Sequence, residues 1–268
     1  MVVTSRDSDR VSEAVSLLQR ESSNEREFPC VWGTTADVGK SNSVAALANF
    51  AREQMGGVDL WINNAGANGY SYTNLVDSDP AVLKEVVETN SLGTLLCCRE
   101  AIQMMSNQPS GGHVFNLLGA GSDGGATLKY AAYGHTKAGL VQLTKTLAKE
   151  VEGTGVGVHA ISPGMVFTEL ISSGRDAFGA QGRFFVNTMA EPPEVAAEEI
   201  VDKVRTFVLE TREKDVGVFG SLPLRLPFGK GVIKSTTFEV LTPPVALSKM
   251  FRRLIFGEGK DRYYIEDD

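Results

Sequence analysis

The pentapeptide Tyr133-Gly134-His135-Thr136-Lys137 lies within residues 130–150, where apolar residues recur at spacings of three and four, as along one side of a helix. Residues four apart on a helix share a face, so the Tyr133 phenol and the Lys137 ammonium can reach into one site. A free tyrosine has a pKa of about 10, and a nearby cation lowers that pKa toward the range useful for acid–base catalysis. The alternative is that Tyr133 packs under a neighbour while Lys137 is solvated.

Length and composition indicate one globular domain. The chain has 268 residues, of which 42% are hydrophobic and 22% charged, which suits an α/β domain with a sizeable core. The net charge of −7 argues against nucleic acid as the main partner. The three cysteines form no CxxC pair and are expected to be reduced, in a non-secretory compartment. The histidines lack metal-ligand spacing, so we expect no metal site.

Short apolar strands alternate with helices along the chain. Strands are predicted at 1–4, 28–37, 59–63, 112–118 and 157–161, and helices at 7–20, 43–54, 79–107, 130–150 and from about 192 onward. This alternation predicts an α/β fold with a doubly wound parallel sheet. The strand 59–63 is nearly all apolar, as expected where a parallel sheet is covered on both faces. No linker divides the chain, so residues 1–268 are predicted to form one domain, with 189–268 as a substrate-side extension within it.

Three further motifs stand at strand ends or interrupt a helix. Asn63-Asn64-Ala65-Gly66 ends the third strand, where small residues let a flat ligand approach the backbone. Asn90 and Gly93 are poor helix formers inside the helix 79–107, which predicts a kink or a buried polar role. The segment 162–168, Ser-Pro-Gly-Met-Val-Phe-Thr, leaves the fifth strand sharply and could clamp a ligand's amide or phosphate.

These motifs, in this order, resemble the short-chain dehydrogenase/reductase family over residues 1 to about 170. The matching elements are the NNAG strand end, the helix-borne asparagine, YxxxK and PGxVxT. The resemblance implies a Rossmann-type fold and hydride transfer to a carbonyl. It implies that Tyr133 protonates the carbonyl oxygen, that Lys137 lowers the tyrosine pKa and holds the nicotinamide ribose, and that Asn90 supports a proton-relay water.

The same resemblance implies a set of cofactor-binding residues that follow strand ends. Arg6 lies where the family places a basic residue for the 2′-phosphate, and its bidentate fork favours NADPH over NADH. The other implied contacts are Asp37 and Val38 to the adenine, Asn63, Ala65 and Gly66 to the adjacent ribose, and Pro163, Gly164, Val166 and Thr168 to the carboxamide and phosphates.

The phosphate-binding turn of the family, TGxxxGxG, should precede Val2 together with its strand, and neither is found in the sequence. The first predicted strand then loses its central neighbour, and the pyrophosphate loses a helix N-terminus. We therefore expect an N-terminally incomplete domain that lacks the first strand and its glycine-rich turn. The run Gly119–Gly124 fits G-x-G-x-x-G, but a dinucleotide fingerprint should open a helix, and this run is expected to be the active-site loop.

The family usually places a carbonyl-polarising serine 12 to 14 residues before the tyrosine, where this chain has Gly121, Ala120 and Gly119. The nearest hydroxyl belongs to Ser122. The role is therefore expected to pass to Ser122, or otherwise to a backbone N–H of this loop.

Several segments resemble, more narrowly, the chlorophyll b reductase branch of the family, and they are residues 110–116, 119–122, 132–137, 159–170 and 241–244. This resemblance implies NADPH-dependent reduction of the 7-formyl group of chlorophyll b, a large planar pigment, in the chloroplast, although the sequence carries no recognisable transit peptide. An open glycine-rich loop would equally suit a steroid or a 3-oxoacyl thioester. A third hypothesis is a catalytically dead binding subunit.

Residues 244–257 combine apolar side chains with Lys249, Arg252 and Arg253. They could form a basic amphipathic helix in peripheral contact with a membrane surface. The alternative is a helix packed on the domain with its charges solvated. The family commonly pairs through its long central helices, here 79–107 and 130–150, so a homo-oligomer or a hetero-oligomer with related reductase subunits is expected.

Overall fold

Parallel strands and helices alternate along the chain in a computed structural model, which describes residues 1–22, 30–70, 72–173, 179–215, 218–219, 222–223, 233–256, 258–260 and 262–264. The strands are Val2–Ser5 (β1), Trp32–Thr35 (β2), Leu60–Asn63 (β3), Gly112–Leu117 (β4), Val156–Ser162 (β5), Val218–Phe219 (β6), Leu222–Pro223 (β7) and Thr237–Glu239 (β8). The helices are Ser8–Ser22 (α1), Ser41–Met55 (α2), Pro80–Val87 (α3), Thr94–Ser106 (α4), Ala131–Glu150 (α5), Glu169–Ser172 (α6), Ala180–Met189 (α7), Pro193–Asp215 (α8) and Pro243–Phe256 (α9).

The α/β class is confirmed, and the parallel strands form two sheets. One sheet has the order β3-β4-β5-β8, and the other pairs β1 with β2. Within the described residues, β1 and β2 are not hydrogen-bonded to the four-stranded sheet. That the first strand lacks its central neighbour stays a prediction. Strand β8, three residues long, was not predicted, and β6 and β7 form a small antiparallel pair.

Helices cover both faces of the four-stranded sheet at its centre. Alternate residues of a strand point to opposite faces, and Val114 of β4 packs with α4, whereas Phe115 packs with α8. Strand β5 alternates in the same way. The expected double-sided cover is therefore present at β4 and β5.

The same expectation is wrong for β3. Trp61 is buried beside α4, but Leu60 and Ile62 are 40% and 50% exposed. The reason is a cleft of about 850 Å³ between β1 and β3, lined by both strands and by the start of α4. One face of β3 is therefore covered by a helix, and the other lies open.

Helix α9 packs on the domain with two of its three cations, Lys249 and Arg253, facing inward, whereas Arg252 is exposed. Lys249 donates to the Glu191 carboxylate and, at 3.2 Å, to the carbonyl of Met189. Arg253 is buried, 5.1 Å from the centre of the Phe184 ring. The outward face of α9 is apolar and consists of Leu247, Phe251, Leu254 and Ile255. The expected packing of α9 on the domain is right. The expected solvation of Lys249 and Arg253 is wrong, because Glu191 and the Phe184 ring contact them on the inward face.

In the described part of the chain, no helix has the length and apolar character needed to cross a bilayer.

Candidate active site

Helix α5 brings Tyr133 and Lys137 to the carboxyl end of β4, on one face, as their spacing predicts. Lys137 is 5% exposed, and its Nζ donates a hydrogen bond of 2.8 Å to the carbonyl of Leu117, the last residue of β4. The same Nζ lies 5.6 Å from the centre of the Tyr133 ring. The two side chains therefore share one buried site, and Lys137 is not a solvated surface cation.

Burial sets the ionisation of this pair. It raises the pKa of Tyr133 to about 12, with a smaller contribution from Tyr72, and it lowers the pKa of Lys137 to about 8. The prediction of a lowered tyrosine pKa is thus wrong for this structure, because desolvation dominates while Lys137 bonds to the Leu117 carbonyl. A phenol with a raised pKa stays protonated at neutral pH, which is the form that a general acid needs.

The loop Gly119–Gly124 packs against the start of α5 beside Tyr133, the place that an active-site loop would occupy. A Cβ added to Gly119 would lie 2.4 Å from Tyr133 Oη, and one added to Gly121 would lie 2.7 Å from the α-carbon of Gly134. The backbone N–H of Ser122 donates to the carbonyl of Gly119 at 3.0 Å. Ser122 therefore lies one turn after Gly119, the residue beneath the Tyr133 hydroxyl. Its role in polarising a carbonyl stays a prediction.

Asn90 lies in a π-helical turn, Glu88–Gly93, between α3 and α4, so the predicted irregularity is confirmed. It is 1% exposed. Its Oδ1 accepts from the backbone N–H of Ala67, and its Nδ2 donates to the carbonyl of Ala67 and to Thr136 Oγ1, at 2.8, 2.8 and 3.0 Å. Asn90 therefore ties the loop after β3 to helix α5. The proton-relay water stays a prediction.

The residues after β3 divide between the core and the site. Asn63 is buried, accepts from Trp61 Nε1 and donates to Asn116 Oδ1, both at 2.8 Å. Its amide is thus committed to the core rather than directed toward a ribose. Ala65 and Gly66 are exposed. A Cβ at Gly66 would have Asn90 Oδ1 and Lys137 Nζ as its nearest neighbours, at 3.7 and 3.8 Å.

Arg6, Asp37 and Val38 lie together near the π-helical turn. Lys40 bonds to Asp37 at 3.0 Å and holds the pKa of this carboxyl below its usual value, with a smaller contribution from Arg6. Arg6 pairs with Glu85 at 3.0 Å, and a Cβ at Gly93 would be 2.8 Å from Val38. The structure therefore groups the three residues assigned to the adenosine end of the cofactor.

The segment 163–168 turns sharply after β5. Gly164 has φ +74°, and a Cβ there would be 2.7 Å from Leu241. Val166 pairs with Glu191, and the carbonyl of Thr168 accepts from the backbone N–H groups of Ile171 and Ser172 in α6. Helix α6 then contacts the loop after β3, because the Leu170 carbonyl accepts from Asn68 Nδ2 at 3.0 Å and from the Tyr72 hydroxyl. The loops after β3 and β5 therefore meet at one rim of the site. Asn68 and Tyr72 were not predicted, since neither belongs to a recognisable motif.

The residues of this site fit the nicotinamide half of a dinucleotide cofactor. Lys137 has three N–H donors, one of which bonds to Leu117, so two can serve ligand hydroxyls. Gly66 is exposed next to Lys137 Nζ, and its lack of a side chain lets a flat group approach the backbone there.

Comparison with known proteins agrees with this geometry. The family model for short chain dehydrogenase matches residues 1–177. The chain is 43% identical over 270 residues to the chlorophyll(ide) b reductase NOL, chloroplastic, of Oryza sativa subsp. japonica, covering 100% of this chain and 71% of that protein. It is 41% identical to the Arabidopsis thaliana protein of the same name, in an alignment that covers 100% of this chain and 70% of that protein. A short chain dehydrogenase from Mycobacterium smegmatis shares the fold, with a TM-score of 0.63 and 21% identity over 90% of this chain and 81% of that one. The chain belongs to the short-chain dehydrogenase/reductase family and is an oxidoreductase.

Proposed function

We propose that this oxidoreductase reduces the 7-formyl group of chlorophyll b to a hydroxymethyl group with NADPH, in the chloroplast. The observation that carries the proposal is the 43% identity, along the whole chain, to a protein named chlorophyll(ide) b reductase, chloroplastic. The half-buried Tyr133 and the buried Lys137 beside it supply the chemistry that such a reduction requires. The cofactor class, a nicotinamide dinucleotide, follows from the family.

The reduction needs a hydride at the formyl carbon and a proton at its oxygen. The reduced nicotinamide supplies the hydride when it is bound. Tyr133 Oη donates the proton, because burial keeps the phenol protonated at neutral pH. Lys137 stabilises the resulting phenolate by its charge and offers its remaining N–H groups to the ribose hydroxyls. Ser122 or a backbone N–H of its loop polarises the carbonyl.

Asn90 acts in this proposal as a positioning residue that also supports the relay water. Its three hydrogen bonds hold Ala67 against Thr136, three residues after the tyrosine. Gly66 precedes Ala67 and would contact the ribose through its backbone, together with Ala65 and the backbone of Asn63. Pro163, Gly164, Val166 and Thr168 would border the carboxamide and phosphates from the opposite loop.

The preference for NADPH rests on Arg6. Its partner Glu85 is 41% exposed, and exposed ion pairs contribute only about 0–1 kcal/mol. A 2′-phosphate accepts bidentate bonds from a guanidinium and competes well for it. Asp37 and Val38, next to Arg6, would border the adenine. We expect Arg6→Ala to raise the KM for NADPH at least tenfold and to leave the KM for NADH unchanged. The control is Arg10→Ala, because Arg10 on α1 forms a different exposed ion pair, with Glu169.

We further propose that helix α9 rests on a membrane surface that carries the pigment. The support is its outward apolar face, defined above, together with the exposed cation Arg252 on the same helix, which contains no acidic residue. Leu247→Gln with Leu254→Gln should abolish flotation with anionic lipid vesicles and leave turnover of detergent-dispersed pigment unchanged. Flotation that persists in this variant would contradict the proposal.

Pairing with a second copy or with a related reductase subunit is proposed through α3, α4 and α5. Leu92, in the π-helical turn, and Leu95, in the first turn of α4, are 41% and 49% exposed, and such a helix pair would cover them. Leu95→Glu should lower the mass found by sedimentation equilibrium. Residues 1–268 act as one domain in this proposal, with 189–268 on the substrate side, where α9 packs on α7.

The central experiment follows the absorption change when the protein is mixed with NADPH and chlorophyll b. We expect conversion to the hydroxymethyl product, and we expect Tyr133→Phe to lower kcat by at least 10³-fold. Tyr70→Phe changes an exposed phenol and should have no effect. Activity that survives Tyr133→Phe would contradict the mechanism. Reduction of a steroid ketone or a 3-oxoacyl thioester, but not of chlorophyll b, would contradict the substrate.

A further inference from the structure

Two further tyrosines, Tyr130 and Tyr72, extend in a row from the catalytic Tyr133. The rings of Tyr130 and Tyr133 lie 5.6 Å apart in an edge-to-face arrangement, and the rings of Tyr72 and Tyr130 lie 5.5 Å apart. They line a narrow cavity of about 20 Å³ together with Asn68 and Val82. This volume holds roughly one water molecule. A tetrapyrrole ring cannot enter it without movement of the walls.

Two residues of the cavity wall, Asn68 and Tyr72, form a clamp with the carbonyl of Leu170, which joins the loops that follow β3 and β5. Asn68 Nδ2 donates to the Leu170 carbonyl at 3.0 Å and to Tyr72 Oη at 3.1 Å, and Tyr72 Oη donates to the same carbonyl. Asn68 is 8% exposed, and its Oδ1 accepts from the backbone N–H of Tyr70 at 2.9 Å. The clamp is therefore built on a buried, fully engaged amide.

Helix α6 depends on this clamp for its position. It has only four residues, so the carbonyl of Leu170 has no partner within the helix. Asn68 and Tyr72 supply donors for that carbonyl from another loop. If the clamp opens, the side-chain hydrogen bonds that join α6 to the loop after β3 are lost, and Asn68 and Tyr72 are free to move apart from α6.

We propose that Asn68 and Tyr72 are specificity-determining residues, whose clamp to α6 holds together the walls of the cavity beside Tyr133, so that a bulky planar substrate must open the clamp before its formyl group reaches Tyr133. The inference rests on the proposed reduction of chlorophyll b. Opening consumes part of the binding energy of a large substrate, so weakening the clamp should tighten the apparent binding of that substrate. The chemical step, which follows opening, should keep its rate.

The test compares Tyr72→Phe and Asn68→Asp with the unchanged protein. Tyr72→Phe removes one donor to Leu170. Asn68→Asp removes both N–H donors but keeps the acceptor for Tyr70. Each variant should lower the KM for chlorophyll b about threefold to tenfold, the ratio that corresponds to one hydrogen bond, with kcat within about twofold. Tyr70→Phe, in the same loop but with an exposed ring, is the matched control and should change neither constant.

A second measurement follows hydrogen exchange of the Ile171 and Ser172 amides in α6, which donate to Thr168. Exchange should accelerate in both variants and not in Tyr70→Phe. A KM that is unchanged or raised in the two variants would overturn the inference, because the side chains would then be structural or would contact the substrate directly. If the unchanged protein does not reduce chlorophyll b, the proposed function fails first. If it does and the KM does not fall, only the clamp proposal fails.

Discussion

Gly119 lies directly beneath the hydroxyl of Tyr133, so that a Cβ on Gly119 would be 2.4 Å from Tyr133 Oη. Real Cβ atoms essentially never approach another atom so closely. A side chain at this position would displace the catalytic hydroxyl. Position 119, fourteen residues before the tyrosine, is one of the places where the family usually has its serine, and here the phenol itself excludes any side chain.

Gly119→Ala should therefore lower kcat about 100-fold, since misplacing a reacting group by about 1 Å has an effect of this size. The KM for the cofactor should change little. Gly139→Ala is the control in helix α5, because a Cβ there meets nothing within 4 Å. It should keep full activity and raise the free energy of unfolding by up to about 1 kcal/mol. Full activity of Gly119→Ala would show that Tyr133 Oη is free to move.

Lys137 is expected to reduce stability while it serves catalysis. Burial lowers its pKa to about 8, so the folded state disfavours a charge that the unfolded chain carries freely up to its ordinary pKa of 10.5. Lys137→Met should therefore raise the free energy of unfolding at pH 7 by about 1–3 kcal/mol. Each pKa unit of the shift corresponds to roughly 1.4 kcal/mol, and the loss of the hydrogen bond to Leu117 offsets part of this gain. The same substitution should abolish activity.

The pH dependence tests this explanation. Between pH 8 and 10.5 the unfolded state binds more protons at Lys137 than the folded state, so the unchanged protein gains stability as pH rises. The advantage of Lys137→Met should shrink over this window in urea unfolding experiments. Lys145→Met, on the same helix, should show no such trend. An advantage that stays constant from pH 7 to pH 10 would contradict the assignment.

Sequence periodicity was sufficient to predict the order of strands and helices from β1 to β5, because a strand buried on one face repeats its apolar residues every two positions and a helix about every 3.6. It did not predict β6, β7 or β8, which are only two or three residues long. The break at Asn90 was predicted from helix propensity, because Asn90 and Gly93 are both poor helix formers within one turn. The direction of the Tyr133 pKa shift was not accessible, because desolvation depends on how deeply tertiary packing buries the phenol. Helix α9 shows the same limit. Its amphipathic pattern was visible, but Glu191, 58 residues before Lys249, decides which face packs inward.

The buried pair His113 and His159 should make the fold sensitive to acid. His159 Nδ1 accepts from the Thr236 backbone N–H at 3.3 Å, so the neutral ring carries its proton on Nε2, which faces His113 Nδ1 at 3.1 Å. Burial, with a smaller contribution from His113, lowers the pKa of His159 to about 3. Below pH 6.5 the unfolded chain binds the extra proton, and stability should fall by up to about 1.4 kcal/mol per pH unit.

Urea unfolding between pH 7 and pH 4 measures this slope. His159→Asn keeps an acceptor for the Thr236 N–H and does not titrate, so its acid slope should be shallower than that of the unchanged protein. His135 is exposed, and His135→Asn should leave the slope unchanged. Equal slopes for all three proteins would mean that carboxylates alone cause acid unfolding.

Strand β3 offers a test of the open cleft, because adjacent residues face opposite environments. Trp61 is 9% exposed and bonds to Asn63, whereas Ile62 is 50% exposed beside the cleft. Trp61→Ala should reduce the free energy of unfolding by about 3–5 kcal/mol through lost burial and an unfilled cavity. Ile62→Ala should reduce it by no more than about 1 kcal/mol, the range of strand propensity alone. The measurement is urea unfolding followed by circular dichroism, with the slope against urea checked for constancy.

If Ile62→Ala is as destabilising as Trp61→Ala, then polypeptide covers this face in the folded protein. Leu60→Ala, on the same exposed face, should then be strongly destabilising too, because one covering segment would bury both side chains.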